Sequence, residues 1–292
     1  MKIRDMNKIN VERIITMSLL YVVGTPIGNL SDFSPRAVET LSSVDFIAAE
    51  DTRVTLKLLT HFGIQKPLIS YHEHNIRERG EYILGRIENG ESCAVVTDAG
   101  MPCISDPGED LVRLCAERGI EIRVVPSPTA AMSALAVSGL PTSRFSFEGF
   151  LSVTKKQRQA HLDEIKNFRR TLIFYEAPHK LLFTLQDLLE QLGDRKISLC
   201  RELTKIHEEI LRGTISEMLE YYRDKTPKGE YVLIVAGAEE EPAEKTSLTL
   251  EEVCENAKKL ADGGMKLSEA CKEAAKQTKY TKSEIYNKLV NE

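Results

Sequence analysis

The 292-residue chain lacks a C-x-x-C pair, lacks any excess of basic charge, and has no apolar run approaching the ~18 residues a membrane helix needs. Each absence removes a class of function. The nearest two of its six cysteines, Cys93 and Cys103, are ten residues apart, which excludes a zinc ribbon and a tight redox motif. Cysteines scattered through apolar stretches read as buried free thiols of a reducing compartment. Lys+Arg number 39 against 44 Asp+Glu, a net charge of −5. A chain that wraps bare nucleic acid non-specifically is expected to be basic, so any nucleic-acid contact has to use local patches. With 42% hydrophobic and 28% charged residues, 17 Gly and 11 Pro, the composition excludes collagen, a coiled-coil rod and a wholly disordered chain. Ile14 to Val23 has the length of a signal-peptide core behind basic residues, but it runs into Gly24-Thr25-Pro26 and not a small-x-small cleavage site. It reads as a first buried strand of a cytoplasmic protein.

The length fits two domains and an appendage at roughly 150 residues per domain. The expected fold is α/β: two consecutive α/β domains with a small C-terminal helical module. Residues 1–17 are expected to be an N-terminal extension or the product of an upstream start, because Met17 stands just before the first strand. Residues 18–141 alternate apolar and amphipathic segments. Strands are predicted at 19–23, 45–49, 67–71, 92–97 and 120–125, with helices at 34–43, 52–62, 76–88, 107–118 and 129–138. Val, Ile and Leu in near-continuous runs suit a parallel sheet covered on both faces, and five βα units point to a doubly wound domain. A Gly-Leu-Pro break at 139–141 ends the series. Residues 142–238 read as a second, mixed α/β domain, with strands at 145–151, 171–175, 197–202, 209–213 and 231–236 and helices at 155–168, 179–192 and 215–223. Residues 239–292 begin with an acidic linker (Glu239, Glu240, Glu241, Pro242, Glu244) and continue as short helices. Thr249 with Glu252, and Thr281 with Glu284, have capping-box spacing. The tail is either a helix-turn-helix-like module or a helical cap on the main body.

Ligands of open α/β sheets bind beyond the carboxyl ends of the strands, and three loops suit that role. Gly24-Thr25-Pro26-Ile27-Gly28-Asn29 follows the first strand, but it is neither a Walker loop nor a G-x-G-x-x-G fingerprint. Asp98 to Gly108 holds two Gly, two Pro and two Asp before a helix, too constrained for a mere connector; its blander reading is a rigid turn with Asp106 as N-cap. Pro126-Ser127-Pro128-Thr129 lets backbone approach a ligand at a helix start. Glu50-Asp51-Thr52-Arg53 falls at the same carboxyl edge and is read equally as chemistry or as a helix start whose acids favour the dipole. His72 and His74, with His61, lack an evident third ligand and second shell, so no metal is expected. Lys155, Lys156, Arg158, Lys166, Arg169 and Arg170 make a locally basic segment in an acidic chain, either a solvated helix face or a phosphate contact.

The phrases VGTPIGNL (23–30), AEDTR (49–53), SYHEHN (70–75), TDAGMPCISDPG (97–108), PSPTAAMSAL (126–135), FEGFL (147–151) and KGEYVLIVAG (228–237) occur in this order. Together they resemble the ribosomal RNA small subunit methyltransferase I family of the tetrapyrrole methylase superfamily, over about residues 18–237. The resemblance implies transfer of a methyl group from S-adenosylmethionine to the ribose 2′-oxygen of a decoding-centre cytidine of 16S rRNA, conventionally position 1402. It also implies a homodimer acting on the small ribosomal subunit, with the cofactor held between the two α/β domains. Carried onto this chain, the cofactor residues would be Ile27, Asp98, Ala99, Gly100, Met101, Ile104, Ser105, Thr129, Ala130, Tyr175, Glu176 and Thr204. A ribose hydroxyl is a poor nucleophile, so a nearby carboxylate or lysine is expected to take its proton or stabilise its anion; the candidates are Glu50, Asp51, Arg53, Lys228 and Glu230. RNA contact would rest on Lys155, Lys156, Arg158, Arg169 and Arg170 and on the tail. The first loop departs from the Gly-x-Gly-Pro-Gly of corrin and sirohaem methylases, which argues against a tetrapyrrole substrate. Two other readings are a precorrin-type small-molecule methyltransferase of the same fold and a non-catalytic RNA-binding sensor.

Overall fold

The computed structural model describes residues 18–239, 248–276 and 278–291. The expected extension at 1–17 and Glu240, Glu241, Pro242 and Glu244 of the linker lie outside the described residues. The chain divides into two compact units, one ending at Gly237 and the other beginning at Ala238.

In the first unit, β1 (Leu19–Val23), β2 (Phe46–Ala49), β3 (Leu68–Ser70), β4 (Ser92–Val96) and β5 (Glu121–Val125) form an all-parallel sheet in the order β3-β2-β4-β1-β5. Between them run α1 (Pro35–Ser43), α2 (Thr52–His61), α3 (Ile76–Glu88) and α4 (Glu109–Glu117). Successive strand residues serve opposite faces, and here both faces are covered. Leu20, Phe46, Cys93 and Val95 pack with Ile83 and Ile87 of α3 and Leu111 of α4. Val23, Ile47, Ala94 and Val96 pack with Ala37 and Leu41 of α1 and Leu59 of α2. This is why the strands read as continuous apolar runs; each buried aliphatic side chain contributes about 1.5–3 kcal/mol.

The strand order also fixes where a ligand can bind. β1 and β4 are neighbours in register, Leu20 beside Cys93, yet α1 after β1 and α4 after β4 lie on opposite faces. The loops leaving the two strands therefore diverge and open a crevice at the carboxyl edge.

The second sheet holds β6 (Phe145–Phe150), β7 (Thr171–Glu176), β8 (Lys196–Arg201), β9 (Glu209–Thr214) and β10 (Tyr231–Val235) in the order β6-β7-β10-β8-β9. Only β6 and β7 are parallel. One face is covered by α6 (Lys155–Ile165), α7 (Leu181–Leu192) and α8 (Ile215–Tyr221). The apolar stripe of α7 behaves as its spacing predicts, with Leu181, Leu185, Leu188 and Leu192 buried and Leu189 packed at the edge. The other face carries Ile173, Cys200, Val232 and Ile234, and against it lie Ala131, Ala134 and Leu135 of α5 (Ala130–Val137) together with Ile27. Thus α5, the last helix of the first series, joins the core of the second sheet. That core joins the second sheet to α5 and the loop after β1, and both sheets lie in one compact unit.

Four helix boundaries differ from expectation by two residues or more. Helix α7 begins at Leu181, not 179, and α8 ends at Tyr221, not 223. Helix α6 ends at Ile165, not Phe168. Helix α4 begins at Glu109, because Gly108 adopts φ 127° and is the N-cap residue. The cap position is therefore Gly108 and not Asp106, and a Cβ at Gly108 would stand 2.7 Å from the Cys103 sulfur.

In the second unit, α9 (Leu250–Asp262), α10 (Leu267–Ala275) and α11 (Lys282–Val290) close around Val253, Cys254, Ala257, Cys271 and Ile285. Both capping boxes form, Thr249 with Glu252 and Thr281 with Glu284. Gly264, at φ 97°, lets the chain turn from α9 to α10.

Candidate active site

A cavity of about 580 Å3 opens where the carboxyl edge of the first sheet meets the second sheet, within the range of small-molecule sites. Its floor is a tied pair of loops. Thr25 and Gly100 exchange backbone hydrogen bonds of 2.8 and 3.1 Å. The Thr25 hydroxyl donates to the Thr97 carbonyl at 3.1 Å, and the Ser127 hydroxyl donates to the Thr25 carbonyl at 2.8 Å. Gly24 has no room for a side chain, since a Cβ there would lie 2.4 Å from the Ser127 Cβ and 2.6 Å from the Met101 sulfur. The roof comes from the second sheet: the Tyr175 hydroxyl accepts from the Ala131 N–H at 3.2 Å, and Phe147 and Phe150 meet the Tyr175 ring edge-on. Glu176 lies at the back, its carboxylate accepting from the Ala177 N–H at 2.8 Å and from the Thr184 hydroxyl.

Backbone strain collects at the same place. Among the described residues, the non-glycine residues with positive φ are Cys103 (71°), Ser105 (63°), Glu202 (51°) and Thr204 (66°). All four sit in the loops after β4 and β8, which border the cavity. Such conformations cost about 1–3 kcal/mol each and persist where surrounding structure imposes them, commonly at ligand sites.

Ile27, Asp98, Ala99, Gly100, Met101, Ile104, Ser105, Thr129, Ala130, Tyr175 and Glu176 all line the cavity. Thr204 does not; its neighbours Leu203 and Lys205 do, and the Thr204 hydroxyl is buried without a partner. Of the residues considered for proton transfer, Glu50 and Glu230 line the cavity, whereas Asp51, Arg53 and Lys228 do not. Asp51 instead caps α2, accepting from the Arg53 N–H at 2.8 Å and from its guanidinium. Those bonds to Arg53 pull its carboxyl down to about 2.

Carboxylates dominate the wall: Glu50, Asp98, Asp106, Glu176, Glu202 and Glu230 face one lysine, Lys205. The Thr97 hydroxyl and the Asp98 N–H both donate to Glu50 Oε2. Burial, and next the Glu50 charge, raise the Asp98 carboxyl and push Asp106 up to about 6. Lys205 bridges Glu202 at 2.9 Å and Glu230 at 2.8 Å. Burial lowers Lys205, but the two carboxylates outweigh it and hold the ammonium above its ordinary value. With its one lysine already paired, the cavity is arranged for a cationic ligand. S-adenosylmethionine carries a sulfonium and an ammonium, so it matches this donor set, while Ile27, Leu203 and Val232 offer apolar surface.

Asp106, Phe150, His179, Glu202 and Lys205 line the cavity but were not singled out for it from sequence. Asp106 lay in the loop after β4, where the N-cap reading concealed it. Glu202 and Lys205 lie on either side of Leu203 and Thr204, in a loop whose positive φ values at Glu202 and Thr204 no local sequence signal announces.

The basic segment is not gathered into one patch. Arg158 is a correction: it is 9% exposed, and its guanidinium bonds to Asp187 and, at 2.8 Å, to the Thr184 hydroxyl. It faces the interior because α6 needs that side to pack on α7. Lys155 and Lys156 are exposed at the start of α6, while Arg169 and Arg170 lie beyond its end, about 15 Å further at helical rise. Arg170 stacks on the Phe168 ring at 3.8 Å.

The model of the tetrapyrrole (corrin/porphyrin) methylases matches residues 19–219. A protein of Synechocystis sp. named ribosomal RNA small subunit methyltransferase I is 48% identical over 271 residues, covering 92% of this chain and 96% of that one. The chain belongs to the ribosomal RNA small subunit methyltransferase I family. It is accordingly a methyltransferase whose donor is S-adenosylmethionine. A family member from Thermotoga maritima is 48% identical over 223 residues, which is 76% of this chain and all of that one, so about a quarter of this chain has no counterpart there. The crystal structure of uroporphyrin-III-C-methyltransferase from Thermus thermophilus shares the fold, with a TM-score of 0.53, 18% identity, and coverage of 75% of this chain and 94% of that one.

Proposed function

We propose that this chain 2′-O-methylates the ribose of a decoding-centre cytidine of 16S rRNA within the small ribosomal subunit. The observation that carries the reading is the carboxylate-lined cavity, suited to a cationic donor, in a chain 48% identical to a named ribosomal RNA small subunit methyltransferase. Residues 18–141 and 142–238 act as the two halves of the cofactor cleft. Residues 239–292 supply the linker and a helical tail whose stretch 258–288, with eight Lys against four acids, adds basic surface for RNA.

Bound in the cavity, S-adenosylmethionine supplies a methyl on a sulfonium, an electrophile that passes to the acceptor oxygen and leaves a neutral thioether. The chain's own task is chiefly alignment, which can supply several kcal/mol of the barrier. Ile27, Ala99, Gly100, Met101, Ile104, Thr129 and Ala130 hold the donor from the first half. Tyr175, Glu176, Leu203 and Lys205 hold it from the second, with Thr204 shaping the loop between the last two and Asp98 and Ser105 at the rim. Glu50, fixed through Oε2 by Thr97 and Asp98, leaves Oε1 to take the proton of the ribose hydroxyl. Glu230 is less suited, because Lys205 already holds its carboxylate.

Lys155, Lys156, Arg169 and Arg170 contact phosphates, with specificity from folded RNA and a splayed-out nucleotide. An acidic chain of this kind acts on the assembled particle as a homodimer in the cytoplasm. Labelled methyl transfer tests this on purified small subunits lacking the modification and on protein-free rRNA. Transfer to the particle alone supports the reading, and comparable activity on protein-free rRNA counts against the particle preference.

A further inference from the structure

A second, smaller pocket of about 270 Å3 lies beside the large cavity. Pro26, Gly28 and Leu30 of the loop after β1 form one side of it, and Val54, Thr55 and His61 of α2 form another. Thr97 and Asp98 line both this pocket and the large cavity, so the end of β4 is a common wall between them. Three features are left unexplained by the donor site. Leu30 and Val54 are 43% and 37% exposed, so the fold leaves apolar surface uncovered on both sides of the pocket. Thr55 is 3% exposed, yet its hydroxyl has no hydrogen-bond partner, although buried polar atoms are ordinarily paired. Lys57 and His61, both exposed, border the pocket.

We propose that this pocket receives the target nucleoside of the RNA substrate, flipped from its neighbours, so that the two pockets together hold donor and acceptor on either side of Asp98. The inference rests on the RNA methyltransferase reading above. An extruded base needs a slot with apolar sides and a few polar groups for its edge. Leu30 and Val54 are the sides, the Thr55 hydroxyl is the polar group, and Lys57 and His61 suit the flanking phosphate. A base held there brings its ribose to the Thr97–Asp98 wall, the part of the pocket that also borders the donor cavity. Asp98 is then a positioning residue that accepts a hydrogen bond from the ribose.

The test uses the full chain with Val54→Trp, which fills the slot from a partly exposed position, and Thr55→Val, which keeps shape and removes the hydroxyl. Donor affinity by calorimetry reports an intact fold and donor site, and is expected to stay within about twofold of wild type because neither residue lines the large cavity. Methyl transfer to unmodified small subunits is expected to fall at least about 100-fold in Val54→Trp. In Thr55→Val the KM for the subunit should rise about tenfold, the equivalent of one lost hydrogen bond, with kcat little changed. Cytidine 5′-monophosphate, followed by saturation-transfer NMR, is expected to bind wild type and not Val54→Trp. If either variant binds donor normally and transfers methyl at the wild-type rate, the pocket assignment is overturned while the function stands. If wild type methylates no subunit but binds the nucleotide in a Val54→Trp-sensitive way, the pocket stands and the rRNA reading falls. Loss of both signals in wild type overturns both. Should Val54→Trp lose donor binding, Leu30→Trp replaces it from the opposite side of the slot, and the same outcomes decide.

Discussion

Replacing Asp106 by Asn isolates one cost of building an acidic cavity. The Asp106 carboxyl is pushed from 3.8 to about 6 by burial and by the Glu50 charge. At about 1.4 kcal/mol per pH unit, that rise bounds the penalty on the ionised form at about 3 kcal/mol. Asp106 is only half-buried, and solvent screening reduces the figure to about 1–2 kcal/mol. The sign follows from proton binding. Between pH 3.8 and about 6 the native state holds more protons at this group than the unfolded state. Wild-type stability contributed by Asp106 is therefore full below pH 3.8 and is lost as pH rises through about 6. Asn carries no charge in either state and has no such dependence. Asp106→Asn is expected to match wild type near pH 4 and to be about 1–2 kcal/mol more stable at pH 7.5 by urea unfolding. A constant difference across that range, or one that grows toward acid, would mean that the Asp106 carboxyl is not raised in the folded protein.

Other expectations follow from the same wall and its supports. Donor affinity should fall about three- to tenfold from pH 7.5 to pH 5 as Asp106 is neutralised, and Asp106→Asn should flatten the profile in calorimetry. Arg158→Ala breaks a largely buried pair and should cost about 2–4 kcal/mol in urea unfolding, since Asp187 remains at the rim; Lys155→Ala, on the exposed face, should cost less than about 0.5 kcal/mol. Gly24→Ala should destabilise by about 1–3 kcal/mol, because its Cβ meets Ser127 and Met101 inside the tied loops; an unchanged midpoint would show that the loops relax freely. Removing residues 241–292 should leave donor affinity unchanged and weaken methyl transfer to subunits; a small-molecule methyltransferase of this fold would retain full activity toward its own substrate.

The strands and helices were legible because their signals are local. Short runs of apolar residues marked β1, β2 and β4, and the capping boxes at Thr249 and Thr281 marked two tail helices. The place of α5 was not legible: Ala130–Val137 is apolar on every side, so no stripe announces that it packs on the second sheet. The three loops around the large cavity were legible as loops, through their Gly, Pro and Asp content. What sequence concealed was direction. Asp106 has the residue type of a cap, but the φ of Gly108 moves the helix start two residues on. Arg158 sits among cations in sequence, yet helical geometry turns it inward to Asp187 and Thr184. Asp51 lies beside Glu50 in the chain, but one carboxylate caps α2 while the other lines the cavity.

Mapping the transferred methyl decides the reaction. Small subunits lacking the modification are incubated with the full chain and labelled S-adenosylmethionine, and the labelled nucleotide is located and digested to its nucleoside. Label is expected on one cytidine of the decoding centre, carried on the ribose 2′-oxygen. Label on a base, label elsewhere in the RNA, or no label from a chain that demonstrably binds the donor would contradict the proposed reaction.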